Sequence, residues 1–136
     1  MKDLTAEMQR LNQIGSVILE ASICVHKELG PGLLESAYQK ALEKELQLRE
    51  IQFKSQLGVD MKYKDVSVGK GYIIDMLVED SVIVEVKSVS SLAPIFEAQL
   101  ITYLKLLDKR LGFLINFNSE LLKEGFHRIV NRFHDS

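Results

Sequence analysis

Cysteine is almost absent from this sequence. The one thiol, Cys24, permits no internal disulfide and no cysteine-based zinc site. It falls in a helical pattern and reads as a small buried core residue. Histidine is nearly as scarce: His26, His127 and His134 have no metal-ligand spacing to one another and read as structural or surface residues. The glycines of GPG (30–32) and GKG (69–71) match no phosphate-cradling fingerprint. No apolar run is long enough to span a bilayer, and no N-terminal stretch resembles a secretory leader, so a cytoplasmic protein without a membrane partner is expected. An excess of one charge is missing too. Seventeen basic and 19 acidic residues leave a net charge of −2. That balance gives no support to nucleic-acid binding, although a local Lys/Arg patch is enough for it.

What is present is an ordinary globular composition, 46% apolar and 26% charged, in 136 residues. This suits a single domain over 1–136, with a long N-terminal helix (1–30) and a core (31–131). Leu4, Met8, Leu11, Ile14, Ile18, Ala21, Val25 and Leu29 recur at spacings of three and four, one long amphipathic helix with Thr5 as its N-cap. Gly30-Pro31-Gly32 ends it. A second helix is expected from about Leu33 to Arg49, turning Leu34, Ala37, Tyr38, Ala41, Leu42 and Leu46 or Leu48 inward. Residues 51–63 then alternate imperfectly, with Gly58 marking a bulge or break. Lys64-Asp65 is a turn, and residues 66–78 and 82–88 are strands. Ser90-Ser91 opens a third helix, with Pro94 in its first turn, running to about Asp108. GFLINF (112–117) is a short strand, and 125–131 a last one. The order is α-α-β-β-β-α-β-(β), an α/β (α+β) domain with a mixed central sheet flanked by helices.

The strand VIVEVKS (82–88) carries two charges among apolar residues. Alternation puts Ile83, Glu85 and Lys87 on one face, and Ile73, Asp75 and Leu77 of the preceding strand on one face. If Glu79-Asp80-Ser81 form the loop, Val78 pairs with Val82 and Asp75 faces Glu85, with Cβ atoms roughly 4.5–5.5 Å apart. A two-residue loop would put the carboxylates on opposite faces. Opposed, partly buried carboxylates repel, and a divalent cation offsets that. Lys87 can orient or deprotonate water, or stabilise developing negative charge. Asp75, Glu85 and Lys87 are therefore candidate catalytic residues of a metal-dependent phosphodiesterase. The plainer reading of an isolated Glu-x-Lys is a solvated face with a weak ion pair. It loses ground because apolar neighbours share that face.

Gln99 and Tyr103 lie four apart on the third helix, so they share a face. They can contact phosphate or stack on a base, and are candidate substrate-binding residues; the plainer alternative is a packed Tyr and an edge Gln. Glu35 sits in the first turn of the second helix, where it complements the macrodipole. Its functional alternative is a metal ligand beside Asp75 and Glu85.

Gly32-x-x-Glu35-x-x-Tyr38, preceded by VHKELGP, resembles the signature of the small bacterial and archaeal GxxExxY proteins of the PD-(D/E)XK nuclease superfamily. The resemblance continues through GYIIDMLVE, VIVEVKSV, EAQLITYLKLL and LGFLINFN, from about Ile14 to Val130. It implies a restriction-endonuclease-like core. It places Asp75 and Glu85-x-Lys87 on the superfamily's acidic and lysine positions, Glu35 on the helical Glu, and Gln99 and Tyr103 on the Gln-x-x-x-Tyr motif shared with RecB-like nucleases. Two positions depart from the pattern: Ile73 replaces a frequent basic residue, and Phe96 a frequent His. The implied activity is Mg²⁺- or Mn²⁺-dependent hydrolysis of nucleic acid, DNA foremost. The alternatives are a nucleic-acid-binding or regulatory module of low activity, and a homo-oligomer joined through the N-terminal helix. The intact constellation favours the first; the neutral charge favours the others.

Overall fold

The computed structural model describes residues 4–132. The elements in chain order are α1 (Leu4–Leu29), α2 (Glu35–Leu48), β1 (Phe53–Tyr63), β2 (Val66–Val78), β3 (Val82–Lys87), α3 (Pro94–Leu106), β4 (Leu111–Asn116), α4 (Leu122–Gly125) and β5 (Phe126–Val130). Five strands form one mixed sheet in the order β1-β2-β3-β4-β5. Only β3 and β4 pair in parallel, and α3 is the crossover that a parallel pair requires. The remaining pairs are antiparallel. This is the mixed, helix-flanked α+β architecture expected from the sequence.

Two apolar layers enclose the sheet. On one face Val78, Val82, Val84, Val86, Leu111, Phe113 and Ile115 pack with α1 and α2 through Leu11, Ile18, Val25, Leu42 and Leu46. On the other, Leu77, Ile83, Leu114 and Ile129 pack with Leu100 and Leu104 of α3. The alternation along β3 thus serves two cores, which is why all five residues Val82–Val86 are buried. No described helix is long and apolar enough to cross a membrane.

Several local expectations need correction. Thr5 lies inside α1, which is already helical at Leu4. Cys24 is exposed and accepts a hydrogen bond from Arg49 Nη2 at 3.4 Å, because the buried stripe of α1 passes through Ser22 and Val25 instead. Leu34, Ala37 and Leu48 face outward; Leu34 precedes α2 in extended backbone and is 77% exposed. Gly58 keeps register with Ile73; the irregularities follow it, between Val59 and Lys62. Ala93, not Ser90 or Ser91, stands before α3, with Pro94 at its first position, where the missing N–H breaks no bond. The short α4 was not foreseen: four residues carry no readable period. His26 Nε2 lies 2.8 Å from the Ser119 carbonyl oxygen, a structural role, and His127 is exposed. His134 lies outside the described residues.

Gly15 marks the closest approach of α1 to the sheet. A Cβ there would lie 2.6 Å from Phe113 Cζ. That ring is itself stacked on Phe126, with centroids 4.8 Å apart, so it has little room to give. Gly15→Ala should therefore destabilise the domain by about 1–3 kcal/mol through overpacking, although Ala is the better helix former by about 1 kcal/mol. Urea unfolding checks the sign. Adding Phe113→Leu to the same chain should recover part of the loss.

Candidate functional site

The site lies where β2 and β3 part. Glu79-Asp80-Ser81 do form the loop, and Val78↔Val82, Leu77↔Ile83 and Met76↔Val84 pair in the expected register. The ladder stops one pair short of Asp75 and Glu85. In its place, the Asp75 N–H donates to Glu85 Oε2 at 2.8 Å, and the Val86 N–H donates to Asp75 Oδ2 at 2.7 Å. Each carboxylate is thus held by backbone of the neighbouring strand, and both lie in the seam.

The other side of Asp75 is irregular too. Ser55↔Met76 and Leu57↔Ile74 pair, but Gln56 and Asp75 between them do not, and Gln56 adopts a positive φ of 52°. The strands exchange faces at this point. Phe53, Met76 and Val78 belong to the α1–α2 core, whereas Leu57, Val59 and Ile74 belong to the α3 core. The strict alternation expected along Tyr72–Val78 is therefore broken at the acidic residue.

The Asp75 carbonyl accepts a hydrogen bond from Gln39 Nε2 at 3.0 Å. Gln39 also takes 3.0 Å and 3.1 Å bonds with Gln56 Nε2 and Glu43 Oε2, and Ser55 Oγ donates to Glu43. Gln39 is buried, and reasoning from the sequence missed it. The available signal was the spacing of Glu35, Gln39 and Glu43, a polar stripe at intervals of four on one helix face.

Glu85 is 7% exposed, and its carboxyl is pushed up to about 8. Burial is the main cause and the Asp75 carboxylate the next; the Asp75 N–H and Lys87 oppose them. Burial also raises Asp75, against the Val86 N–H and Lys87. Glu35 is exposed at the start of α2. It adds negative field to both carboxylates and accepts a long 3.4 Å bond from the Ser88 N–H. Lys87 lies on the same stretch of β3, its Nζ 4.5 Å from the Phe96 ring centroid. Tyr103 is nearly buried; burial raises its hydroxyl, followed by Glu85, Asp75 and Tyr72. Gln99 is exposed and lines a cleft with Tyr103 rather than the seam itself. Ile73, 49% exposed, neighbours Asp75 in sequence.

Beyond Lys87 the chain is pinned by buried Asn116. Its Oδ1 accepts from the Val89 N–H at 3.1 Å and its Nδ2 donates to the Val89 carbonyl at 2.9 Å, reproducing a strand pairing with a side chain. The Phe117 N–H holds the Lys87 carbonyl at 2.9 Å.

The seam thus joins a buried Glu and a half-buried Asp, with a lysine on the strand that carries the Glu. A family model described as the PD-(D/E)XK nuclease superfamily matches residues 12–129. The chain belongs to the PD-(D/E)XK nuclease superfamily. A search of curated proteins finds no match. Members of the superfamily usually use divalent metal ions and act on nucleic acid. Among the described residues no group of three or more His, Cys, Asp or Glu side chains is arranged to hold a metal ion. The pair Asp75–Glu85 supplies oxygen donors only, the set that suits a hard cation such as Mg²⁺ or Mn²⁺, and its mutual repulsion is what such a cation relieves.

The Glu85 shift has a stability consequence. The folded carboxyl holds its proton up to about 8, whereas the unfolded one releases it near its ordinary value of 4.5. Folding therefore binds a proton between these values, and stability falls as pH rises through them. Without divalent cation, the domain should lose on the order of a few kcal/mol between about pH 5 and pH 8 from this group. Glu85→Gln should flatten that slope in denaturant titrations at several pH values.

Proposed function

We propose that this chain is a metal-dependent nuclease of the GxxExxY kind, hydrolysing phosphodiester bonds in nucleic acid, with DNA as the leading substrate. The observation that carries the reading is the seam itself: a buried Glu85 and a half-buried Asp75, each raised by burial and one by the other, with Lys87 two residues from Glu85. Elsewhere in a sheet such a pair is a liability without a use.

Asp75 and Glu85 would hold Mg²⁺ or Mn²⁺, with Glu35 in support. When bound, the ion supplies Lewis acidity toward a phosphoryl oxygen and a more acidic water. The remaining work falls to the chain. Lys87 places positive charge where the phosphorane builds negative charge. The N–H groups of Asp75 and Val86 fix the carboxylates before substrate arrives, so little reorganisation is left for the chemical step. Gln39 fixes the peptide on which Asp75 is mounted. Gln99 and Tyr103 line the approach and contact the substrate.

A second reading, a nucleic-acid-binding module with little catalysis, is favoured by one observation. Glu35 points its carboxylate toward the Ser88 N–H, and among the described residues no third ligand joins Asp75 and Glu85 in a formed cluster.

The two readings part in one experiment. Cleavage of DNA or RNA should require Mg²⁺ or Mn²⁺, stop in EDTA and fall to background in Asp75→Asn and Glu85→Gln. Lys87→Ala should lose about a hundred- to a thousandfold in turnover while keeping the metal-induced rise in melting temperature. That rise should vanish in both carboxylate variants. An active site is refuted by wild-type protein that neither melts higher with either ion nor cuts any single- or double-stranded substrate.

Metal binding also has a proton signature. Glu85 is mostly protonated near neutral pH without a cation, and ligation needs the carboxylate. Calorimetric titration of Mn²⁺ near pH 7 in buffers of different ionisation enthalpy should show uptake of about one proton by the buffer per ion bound. Glu85→Gln should show none.

A further inference from the structure

Beside the seam lies a cleft of about 210 Å³ with no assigned task of its own. Met61 and Tyr72 of the β1–β2 hairpin form one wall; Ile95, Ala98, Gln99 and Tyr103 of α3 form the other. Tyr103 links the two sites: it lines the cleft, and its hydroxyl lies in the field of Glu85 and Asp75. The cleft therefore adjoins the seam through Tyr103.

Tyr72 is placed deliberately. Gly69 pairs with Met61 at a register shift in the hairpin. A Cβ on Gly69 would come within 3.0 Å of Tyr72 Cε2, so the missing side chain leaves room for the ring. The ring is nevertheless 40% exposed, and Ile95 opposite is 58% exposed. Both are large apolar groups left open to water at the mouth of a concavity. Among the described residues no charged side chain lines the cleft. A phosphate would find no cation among these lining residues. An uncharged planar group would find an aromatic face, an apolar wall and, in Gln99, an amide that both donates and accepts.

The geometry points to a base subsite: the cleft between Tyr72 and α3 takes one unstacked nucleobase of a single strand, whose backbone continues to Asp75, Glu85 and Lys87. Tyr72 is its positioning residue. This rests on the nuclease reading and adds a substrate class to it. A duplex keeps its base faces stacked and cannot offer one to Tyr72, whereas a single strand, a flap or a frayed end can. Stacking on an aromatic ring tolerates any base, so the preference is for unpaired structure, not for sequence.

The test uses full-length protein with Ca²⁺ in place of Mg²⁺ to hold back turnover. Short fluorescein-labelled oligo-dT, oligo-rU and a hairpin duplex are titrated by anisotropy into wild type, Tyr72→Phe, Tyr72→Leu and Tyr72→Ala. The wild type should bind single strands more tightly than the duplex. Tyr72→Leu and Tyr72→Ala should weaken single-strand binding about tenfold, and Tyr72→Phe should retain it. The oligo-dT and oligo-rU arms show whether the base comes from DNA, RNA or either. All variants should keep the wild-type melting temperature rise with Mn²⁺, which separates a lost contact from a damaged fold. Tyr72→Leu binding like wild type, or a duplex preference in the wild type, overturns the base subsite while leaving the nuclease reading intact. A wild type that binds and cuts no nucleic acid overturns both.

Discussion

Asp75 has been taken out of the sheet. Its N–H is held by the Glu85 carboxylate, its carbonyl by the Gln39 amide, and its own carboxylate by the Val86 N–H. A residue in the middle of a strand normally gives its backbone groups to the ladders. Here side chains replace both ladders, so the obligation to satisfy buried backbone is met while β2 and β3 are released from pairing. The seam, the exchange of faces along β1 and β2, and the positive φ of Gln56 follow from that replacement. An apolar residue at 85 or 39 would leave a buried N–H or C=O unpartnered, at about 1–3 kcal/mol each. The site is thus part of the fold's hydrogen-bond accounting, not an addition to its surface.

The N-terminal half explains how α2 comes to lie against that point. The Tyr38 hydroxyl donates to the Gly30 carbonyl and accepts from the Leu33 N–H at 3.1 Å, while its ring stacks on Phe117 at 4.8 Å. Gly30 and Gly32 both have positive φ, which the turn requires. The helix therefore latches its own preceding turn, and that latch sets where α2 begins. Once its start is fixed, Glu35, Gln39 and Glu43 fall along one stripe: Glu35 reaches the Ser88 N–H, while Gln39 and Glu43 meet the irregular stretch of β1 and β2. The spacing Gly32-x-x-Glu35-x-x-Tyr38 has a mechanical sense on these terms. Gly and Tyr build the turn, and Glu35 is the first polar residue of the stripe it aims.

Legibility in the sequence followed the range of the interaction. The β2–β3 register could be read because a three-residue loop and two apolar strands leave few ways to pair. The juxtaposition of Asp75 and Glu85 followed from that register, although the ladder itself ends one pair before them. Gln39 could not be read in the same way. Its role depends on which stripe of α2 meets the sheet, and thus on the Tyr38 latch. Gln56 was hidden for a different reason: a left-handed conformation at a non-glycine residue has no sequence signature and is imposed by its neighbours. Asn116 stands at the end of a strand, where Asn is common, so its residue type says nothing of its task. Its reciprocal bonds to Val89 appear only when β3 and β4, which are distant in sequence, lie side by side.

A net charge of −2 looks unsuited to a polyanionic substrate, yet the charge that matters is local and conditional. Without a cation the seam reduces its own negative charge by keeping a proton on Glu85 near neutral pH. On the nuclease reading Asp75 and a deprotonated Glu85 would hold a divalent ion as a neutral set, to which Lys87 would add one positive charge. The seam repels phosphate least when the ion is present. Phe96 sharpens this dependence. Its ring lies under Lys87 Nζ and offers that ammonium a π face. A quadrupole can hold an ammonium in place but cannot add charge or shuttle a proton. On that reading, Asp75, Glu85 and the ion they would hold bear most of the electrostatic work, with Lys87 the one lysine on β3.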